Sequence, residues 1–132
     1  KNDSIMKKLL ILLFSILISF NSYGEWTLIT TGVEDGAKFY IDDETISERS
    51  GYVYFWSLQD NVKPDSDGDL SGKAYYEGDC IAKRNRYLSQ TWYKKNMGRG
   101  GYKSYDPKTK WYYPSPGSVA EDLLNYACNN SK

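Results

Sequence analysis

The chain has 132 residues, of which 17 are basic and 17 acidic, and it contains no histidine. A dedicated nucleic-acid binder needs a basic excess to neutralise phosphates, so the balanced charge argues against that class. Without an imidazole base, Ser-His and Cys-His catalysis are both excluded. The composition favours a binding protein, and we predict neither a cofactor nor a metal site.

The N-terminal region has the layout of a secretory signal peptide. Lys7 and Lys8 precede an apolar run, Leu9 to Phe20, and small residues follow up to Gly24. A membrane-spanning helix needs roughly 20 apolar residues, and this run is shorter than that. We therefore predict export and cleavage after Gly24.

This prediction divides the chain into two parts. Residues 1–24 comprise upstream residues and the signal peptide, with Met6 as the expected start, and residues 25–132 form one domain. The mature product is expected in the periplasm, in the medium or at the cell surface, without a membrane span. The residue directly after the cut is Glu25 and not a cysteine, so the lipid thioether of a bacterial lipoprotein is not expected.

The two cysteines, Cys80 and Cys128, predict a disulfide, because exported proteins fold in an oxidising compartment. Closing a loop of about 48 residues would stabilise the fold by roughly 4 kcal/mol in the chain-entropy model. The competing interpretation is a zinc site, but two distant cysteines without any histidine do not complete a zinc shell.

Hydrophobic periodicity predicts a sheet. The predicted strands, in chain order, are Trp26–Thr30, Ala37–Asp42, Tyr52–Leu58, Lys73–Cys80 and Arg84–Tyr93, with short pieces at Tyr102–Tyr105 and Trp111–Tyr113. Polar stretches at Thr45–Gly51 and Asn61–Gly72 are predicted to be loops. The segment Tyr52–Leu58 is apolar at both its odd and its even positions, which suits a strand covered on both faces at the centre of the sheet.

A single helix is predicted at the C-terminal end of the mature chain. Ser118 is the expected N-cap, Glu121 completes a capping box, and Val119, Leu123 and Tyr126 begin an apolar stripe. The predicted fold is α+β: an antiparallel sheet of about six strands, with the helix packed on one face and tied to the sheet by the disulfide.

This arrangement has a consequence for the two faces of the sheet. Phe39, Ile41 and Cys80 should look toward the helix. Alternate rings along Tyr52–Leu58 point to the opposite face of the sheet, where no second helix can cover them. Exposed apolar patches of that kind usually mark an interaction surface. We expect a partner or a second copy of the chain to bind there, which makes a homodimer a candidate state.

Candidate catalytic and ion-binding groups are few. Most acidic residues lie in predicted turns, where solvation explains them. Asp65–Asp69 looks like the start of a calcium loop, but an EF-hand needs Gly and Glu where this chain has Leu70 and Tyr76. Gly98–Gly101 lacks the motif and the helix of a phosphate-binding loop and is predicted to be a hairpin turn.

A basic region near residues 83–103 is the best candidate for a partner-binding site. Its cations could attract acidic partners, and its interleaved aromatic residues add contact area. The alternative is a charged strand edge that discourages aggregation. The candidate residues are Lys83, Arg84, Arg86, Tyr87, Trp92, Tyr93, Lys94, Lys95, Arg99 and Lys103.

The mature chain carries a succession of short motifs along residues 25–129. They include Glu25-Trp26-Thr27-Leu28, Lys38-Phe39-Tyr40-Ile41-Asp42, Val53-Tyr54-Phe55-Trp56-Ser57-Leu58, Asp79-Cys80, Asn96-Met97-Gly98, Pro116-Gly117-Ser118 and Tyr126-Ala127-Cys128. In this order and spacing, the chain resembles the surface-adhesin protein E family of Gram-negative bacteria. The resemblance implies an antiparallel sheet with a C-terminal helix tied to it by a disulfide.

The same resemblance implies an adhesin that binds host extracellular matrix proteins or plasminogen, without catalysis. We therefore predict an exported, non-catalytic binding module with a protein partner. The alternative that the residues leave open is a periplasmic envelope-associated factor or a carboxylate-based hydrolase. A buried cleft with convergent carboxylates would favour the hydrolase.

Overall fold

The computed structural model describes residues 3–8, 26–107 and 109–132. Residues 3–8 are helical and exposed. The predicted apolar run and cleavage site of the signal peptide lie outside the described residues. Within the described part of the chain, no helix is long and apolar enough to cross a membrane.

Seven strands among the described residues form one antiparallel sheet in the order β1-β2-β4-β5-β6-β7, with β3 paired to β4. Their bounds are β1 Trp26–Thr31, β2 Lys38–Asp42, β3 Ser47–Arg49, β4 Tyr52–Asp60, β5 Ser71–Asp79, β6 Arg84–Tyr93 and β7 Tyr102–Tyr105. The C-terminal helix is Val119–Asn129. The predicted α+β fold is confirmed, with one strand more than expected.

The additional strand is β3, in a segment that the sequence predicted to be a loop. Arg49 pairs with Tyr52 in β4, and the two residues between them, Ser50 and Gly51, both have positive φ angles, 53° and 87°. Two positive φ angles are the mark of a type I′ hairpin turn. β3 is short and polar, so it has no hydrophobic alternation that would predict a strand. It forms a strand because of this turn and its pairing with β4.

The predicted strand piece at Trp111–Tyr113 is not a strand. Only an isolated bridge joins Asn85 to Tyr112. Thr109 holds the same segment against β6, since its hydroxyl accepts a hydrogen bond from the Tyr87 N–H at 2.8 Å and donates to the Tyr87 carbonyl at 2.7 Å. The Thr109 side chain thus makes hydrogen bonds to β6 that the backbone of a paired strand would otherwise have made.

The C-terminal helix begins as predicted. The Ser118 hydroxyl accepts a hydrogen bond from the Glu121 N–H at 3.2 Å, and the Glu121 carboxylate reaches back to the Gly117 N–H at 3.1 Å. Both contacts satisfy backbone donors that the first helical turn leaves free. Leu123 and Leu124 are buried in this helix.

The core lies between the helix and one face of the sheet. Alternation along β4 sends Val53 and Phe55 into this core, while Tyr54 and Trp56 are half-buried on the opposite side. We call the two sides the helix face and the helix-free face. Ile41 lies in the core, and Phe39 and Cys80 pack against it.

The disulfide between Cys80 and Cys128 is confirmed, with a Cα–Cα distance of 5.8 Å. Cys80 directly follows β5, and Cys128 lies in the last turn of the helix. The covalent bond therefore fixes the end of the helix to the edge of the core.

Candidate functional site

Aromatic side chains from neighbouring strands meet on the helix-free face. The cross-strand partner of Trp56 in β4 is Tyr75 in β5, and their rings stack with centroids 4.9 Å apart. Tyr54 lies 6.3 Å from the same Tyr75 ring, and Tyr52 packs against Trp111 at 5.8 Å. We call these five residues the aromatic strip. All of them are half-buried, so the strip offers aromatic surface to solvent.

Charged side chains are built into this strip. The Arg49 guanidinium lies 3.9 Å from the centroid of the Tyr54 ring and donates a hydrogen bond of 3.4 Å to the Tyr75 hydroxyl. Glu77 is buried, and its carboxylate accepts hydrogen bonds from the Tyr54 hydroxyl and, at 2.6 Å, from Arg86. The bond to Glu77 raises the pKa of the Tyr54 hydroxyl, because the phenolate would lose that bond.

Two of the predicted binding residues, Arg84 and Arg86, hold the Trp111 ring. Their guanidinium carbons lie 4.4 and 4.6 Å from its centroid. Arg84 also pairs with Asp79 at 3.0 Å. The pKa of Asp79 is lowered, first because the Ala82 backbone N–H donates to its carboxylate and then because Arg84 lies beside it. These arginines are thus fixed parts of the helix-free face.

Tyr87 and Trp92 lie on the helix face instead. Tyr87 continues a row of rings that begins with Phe55 and Tyr76, with centroid distances of 5.0 and 4.7 Å, and ends with Tyr112 at 5.9 Å. Burial raises the pKa of Tyr76 well above its ordinary value of 10.0. Tyr87 therefore helps to form the core, and its ring is not a free contact surface.

The remaining predicted residues lie at the two ends of β6. Because β6 has 10 residues, its ends lie about 30 Å apart. Lys83 is exposed in the turn at one end, while Tyr93 packs against Tyr102 at the other end, with ring centroids 5.9 Å apart. The basic residues of that second end are Lys94, Lys95, Arg99 and Lys103. The structure therefore divides the predicted basic region into two groups rather than one.

The glycine-rich turn between β6 and β7 is folded back onto the sheet. Asp60 accepts hydrogen bonds from the Met97 N–H at 2.8 Å and from the Asn96 side chain at 3.0 Å. The Ser71 hydroxyl accepts from the Gly98 N–H at 2.9 Å and donates to the Lys95 carbonyl at 2.6 Å. These amides have protein partners, in agreement with a hairpin turn rather than a phosphate cradle.

The acidic loop of Asp65, Asp67 and Asp69 has its own counter-ion. Ligand atoms of the three carboxylates lie within 4.8 Å of one another. The Lys94 ammonium lies 2.9 Å from the Asp69 carboxylate and donates to the Asp67 carbonyl at 2.8 Å. The Asp69 contact raises the pKa of Lys94. The lysine therefore neutralises one carboxylate of the cluster, that of Asp69.

Sequence reasoning missed four residues of the helix-free face: Arg49, Tyr75, Glu77 and Trp111. Arg49 could have been found from the Ser50-Gly51 turn, which places it opposite Tyr52. Tyr75 and Glu77 could have been found from the strand parity that they share. No local signal places Trp111, because it reaches the sheet through the distant contacts of Thr109 and Tyr112.

A sheet linked by a disulfide to its C-terminal helix, with an aromatic strip on the other face and carboxylates held in ion pairs, defines a small α+β binding domain. The model of the family described as surface-adhesin protein E matches residues 26–129. The chain belongs to this family, as its motifs predicted.

Solved structures of protein E from Haemophilus influenzae share the fold. One, in crystal form II, has a TM-score of 0.59 and 18% sequence identity, over 82% of this chain and 89% of that chain. Another, from a non-typeable strain, has a TM-score of 0.52 and 18% identity, over 82% of this chain and 77% of that one. No protein with curated annotation matches this sequence at a significant level.

Proposed function

We propose that residues 25–132 form an exported, non-catalytic binding module, which holds a protein partner against the helix-free face. The observation that carries this proposal is the aromatic strip, flanked by Arg49, Arg84 and Arg86. Tyr, Trp and Arg are the residues most enriched at the energetic centres of protein interfaces. Family membership supports adhesion as the role, with host matrix proteins or plasminogen as the partner.

The strip is preorganised for such contacts. The Arg49 guanidinium lies over Tyr54, and those of Arg84 and Arg86 both contact the Trp111 ring. Side chains that are already fixed lose less conformational entropy when a partner binds. Apart from Trp111, which packs against Tyr52, the residues of this face belong to neighbouring strands of one sheet, so a partner would meet one continuous surface.

The carboxylates give less support to the alternative of a hydrolase. Glu77, Asp79 and Asp69 each accept hydrogen bonds from a cationic side chain. A cleft of about 490 Å³ does contain Glu34, Asp35 and Asp65, but these three residues are exposed on loops. A paired acid and base usually depend on burial to separate their pKa values, and exposed loop carboxylates lack it.

Surface plasmon resonance on immobilised plasminogen and basement-membrane extract tests the proposal. Trp56→Ser should weaken retention by about tenfold or more, as expected for an aromatic residue at an interface centre. Val33→Ser is the matched control, since Val33 is fully exposed in the β1–β2 turn. Equal retention of the wild type and the Trp56→Ser protein on both surfaces would refute a binding role for this face.

Sedimentation velocity on the same proteins examines self-association. A second copy of the chain could use the same strip, since the strip lies on one side of the sheet and offers aromatic surface to solvent. If the wild type is a dimer and Trp56→Ser is a folded monomer, the helix-free face is the dimer contact. A wild type that stays monomeric at high concentration would exclude the homodimer.

A further inference from the structure

A second concave surface lies on the helix face, beyond the end that the helix covers. The helix packs near Gly78, where Leu124 approaches β5. The other end of this face opens into a cleft of about 490 Å³ between the acidic loop and β7. Its size is in the range of small-molecule sites. The lining residues are Asp65, Asp67, Asp69, Gln90, Trp92, Lys94, Lys103 and Tyr105.

Trp92 forms the aromatic wall of this cleft. A Cβ atom built on Gly72 would lie 2.6 Å from both Cε3 and Cζ3 of the indole and 3.1 Å from Cδ2. These three distances place the Cβ position above the ring plane rather than beside its edge. One face of the indole therefore lies on the backbone of β5, and only a glycine at position 72 allows that approach. The other face of the ring is directed away from the sheet.

The cleft also holds polar groups that the fold does not use. Within the described part of the chain, the Gln90 amide, the Trp92 indole N–H and the Asp67 carboxylate form no hydrogen bond with another residue. Gln90 and Trp92 also line an adjoining smaller cavity, together with Gln59 and Phe39. Unused donors and acceptors are thus arranged around one aromatic ring.

The charges of the cleft nearly balance. Lys94 neutralises Asp69, and Lys103 of β7 lines the same cleft as Asp65 and Asp67. A phosphorylated ligand would need a basic excess, and a strongly cationic peptide would need a larger acidic excess. The arrangement suits a neutral ligand that has both an apolar face and many hydroxyl groups.

We propose that this cleft is a carbohydrate site, in which a neutral pyranose stacks on Trp92 and forms hydrogen bonds with Gln90 and Asp67. The C–H face of a pyranose is apolar and slightly positive, which complements the negative face of an aromatic ring. Each sugar hydroxyl both donates and accepts, and therefore pairs with an amide and with a carboxylate. This site is separate from the helix-free face and does not depend on the function proposed for it.

Isothermal titration calorimetry of residues 25–132 with three neutral oligosaccharides tests this site. The probes are chitotetraose, maltotetraose and lacto-N-tetraose, with pentalysine as a cationic comparison. At least one oligosaccharide should bind saturably. Trp92→Ala should weaken that binding by about tenfold or more, because it removes the stacking surface. Gln90→Ala should weaken it by about fivefold, through the loss of a hydrogen bond.

Val33→Ser, at a fully exposed position in the β1–β2 turn, is the matched control and should retain wild-type affinity for the oligosaccharide. If Trp92→Ala does not fold, as judged by near-UV circular dichroism, Gln90→Ala decides the question, and unchanged affinity in that variant overturns the proposal. Binding of pentalysine alone, or no saturable binding of any oligosaccharide up to about 5 mM, also overturns it. The proposal is also overturned if Trp56→Ser loses oligosaccharide binding and Trp92→Ala keeps it.

Discussion

Gly78 lies in β5 where the helix packs against the sheet, and replacing this glycine by alanine should destabilise the protein. A Cβ atom there would lie 2.7 Å from Leu124 Cδ1, 3.0 Å from Val53 Cγ2 and 3.1 Å from Asn85 Oδ1. Overpacking of this kind costs about 1–3 kcal/mol. The lower entropy of the unfolded chain offsets about 0.4–1 kcal/mol of that cost. We expect Gly78→Ala to lower the free energy of unfolding by about 1–2 kcal/mol.

Urea unfolding followed by far-UV circular dichroism measures this change, with the midpoint shifted and the m-value unaltered. Gly101→Ala is the matched control, because the nearest atom to its Cβ position is Lys94 Cγ at 3.9 Å. It should alter stability by less than about 0.5 kcal/mol. In the background of Leu124→Ala, which removes the closest atom, the cost of Gly78→Ala should shrink. Equal stability of Gly78→Ala and the wild type, or strict additivity with Leu124→Ala, would refute the close approach of the helix.

Three further predictions concern other parts of the chain. Cys128→Ser should lower the free energy of unfolding by about 2–5 kcal/mol and loosen the terminal helix; alkylation of Cys80 and Cys128 in the native, non-reduced wild type would contradict the disulfide. Asp79→Asn should be less stable than the wild type at neutral pH. The pKa of Asp79 is lowered in the folded state from its ordinary value of 3.8, so this stability difference should close as the pH falls below 3.8 and through the folded-state pKa. A difference that stays constant in urea titrations down to about pH 2 would show that the Asp79 carboxylate does not stabilise the fold. Intact-mass spectrometry of exported protein should give an N-terminus at Glu25, whereas a membrane-retained chain that starts at Met6 would show that there is no cleavage.

Much of the fold was predictable from local patterns. The strands β1, β2, β4, β5 and β6 follow from β-branched and aromatic runs, whose period of two is a local property of the chain. The helix follows from Ser118 and Glu121 at capping spacing and from an apolar stripe. The disulfide follows from the presence of two cysteines in a chain that is predicted to be exported.

The strand β3 and the segment around Trp111 were not predictable in this way. A three-residue polar strand has almost no signal of its own, and its pairing depends on the turn at Ser50-Gly51. Trp111 reaches Arg84 and Arg86 because contacts at Thr109 and Tyr112 hold its segment against β6. Such contacts link positions that are more than 20 residues apart, and composition or spacing does not specify them.

Apart from β3 and the segment around Trp111, the sequence by itself determined which residues form the sheet, the helix and the disulfide, because propensity, alternation and capping act over a few neighbouring residues. It also identified the chain as a member of its family. Only the tertiary structure decided how the basic region is divided between the two ends of β6, and that Arg84 lies on the helix-free face while Trp92 lies on the other. The reason is strand parity, since register and bulges across several strands determine the face on which each side chain lies.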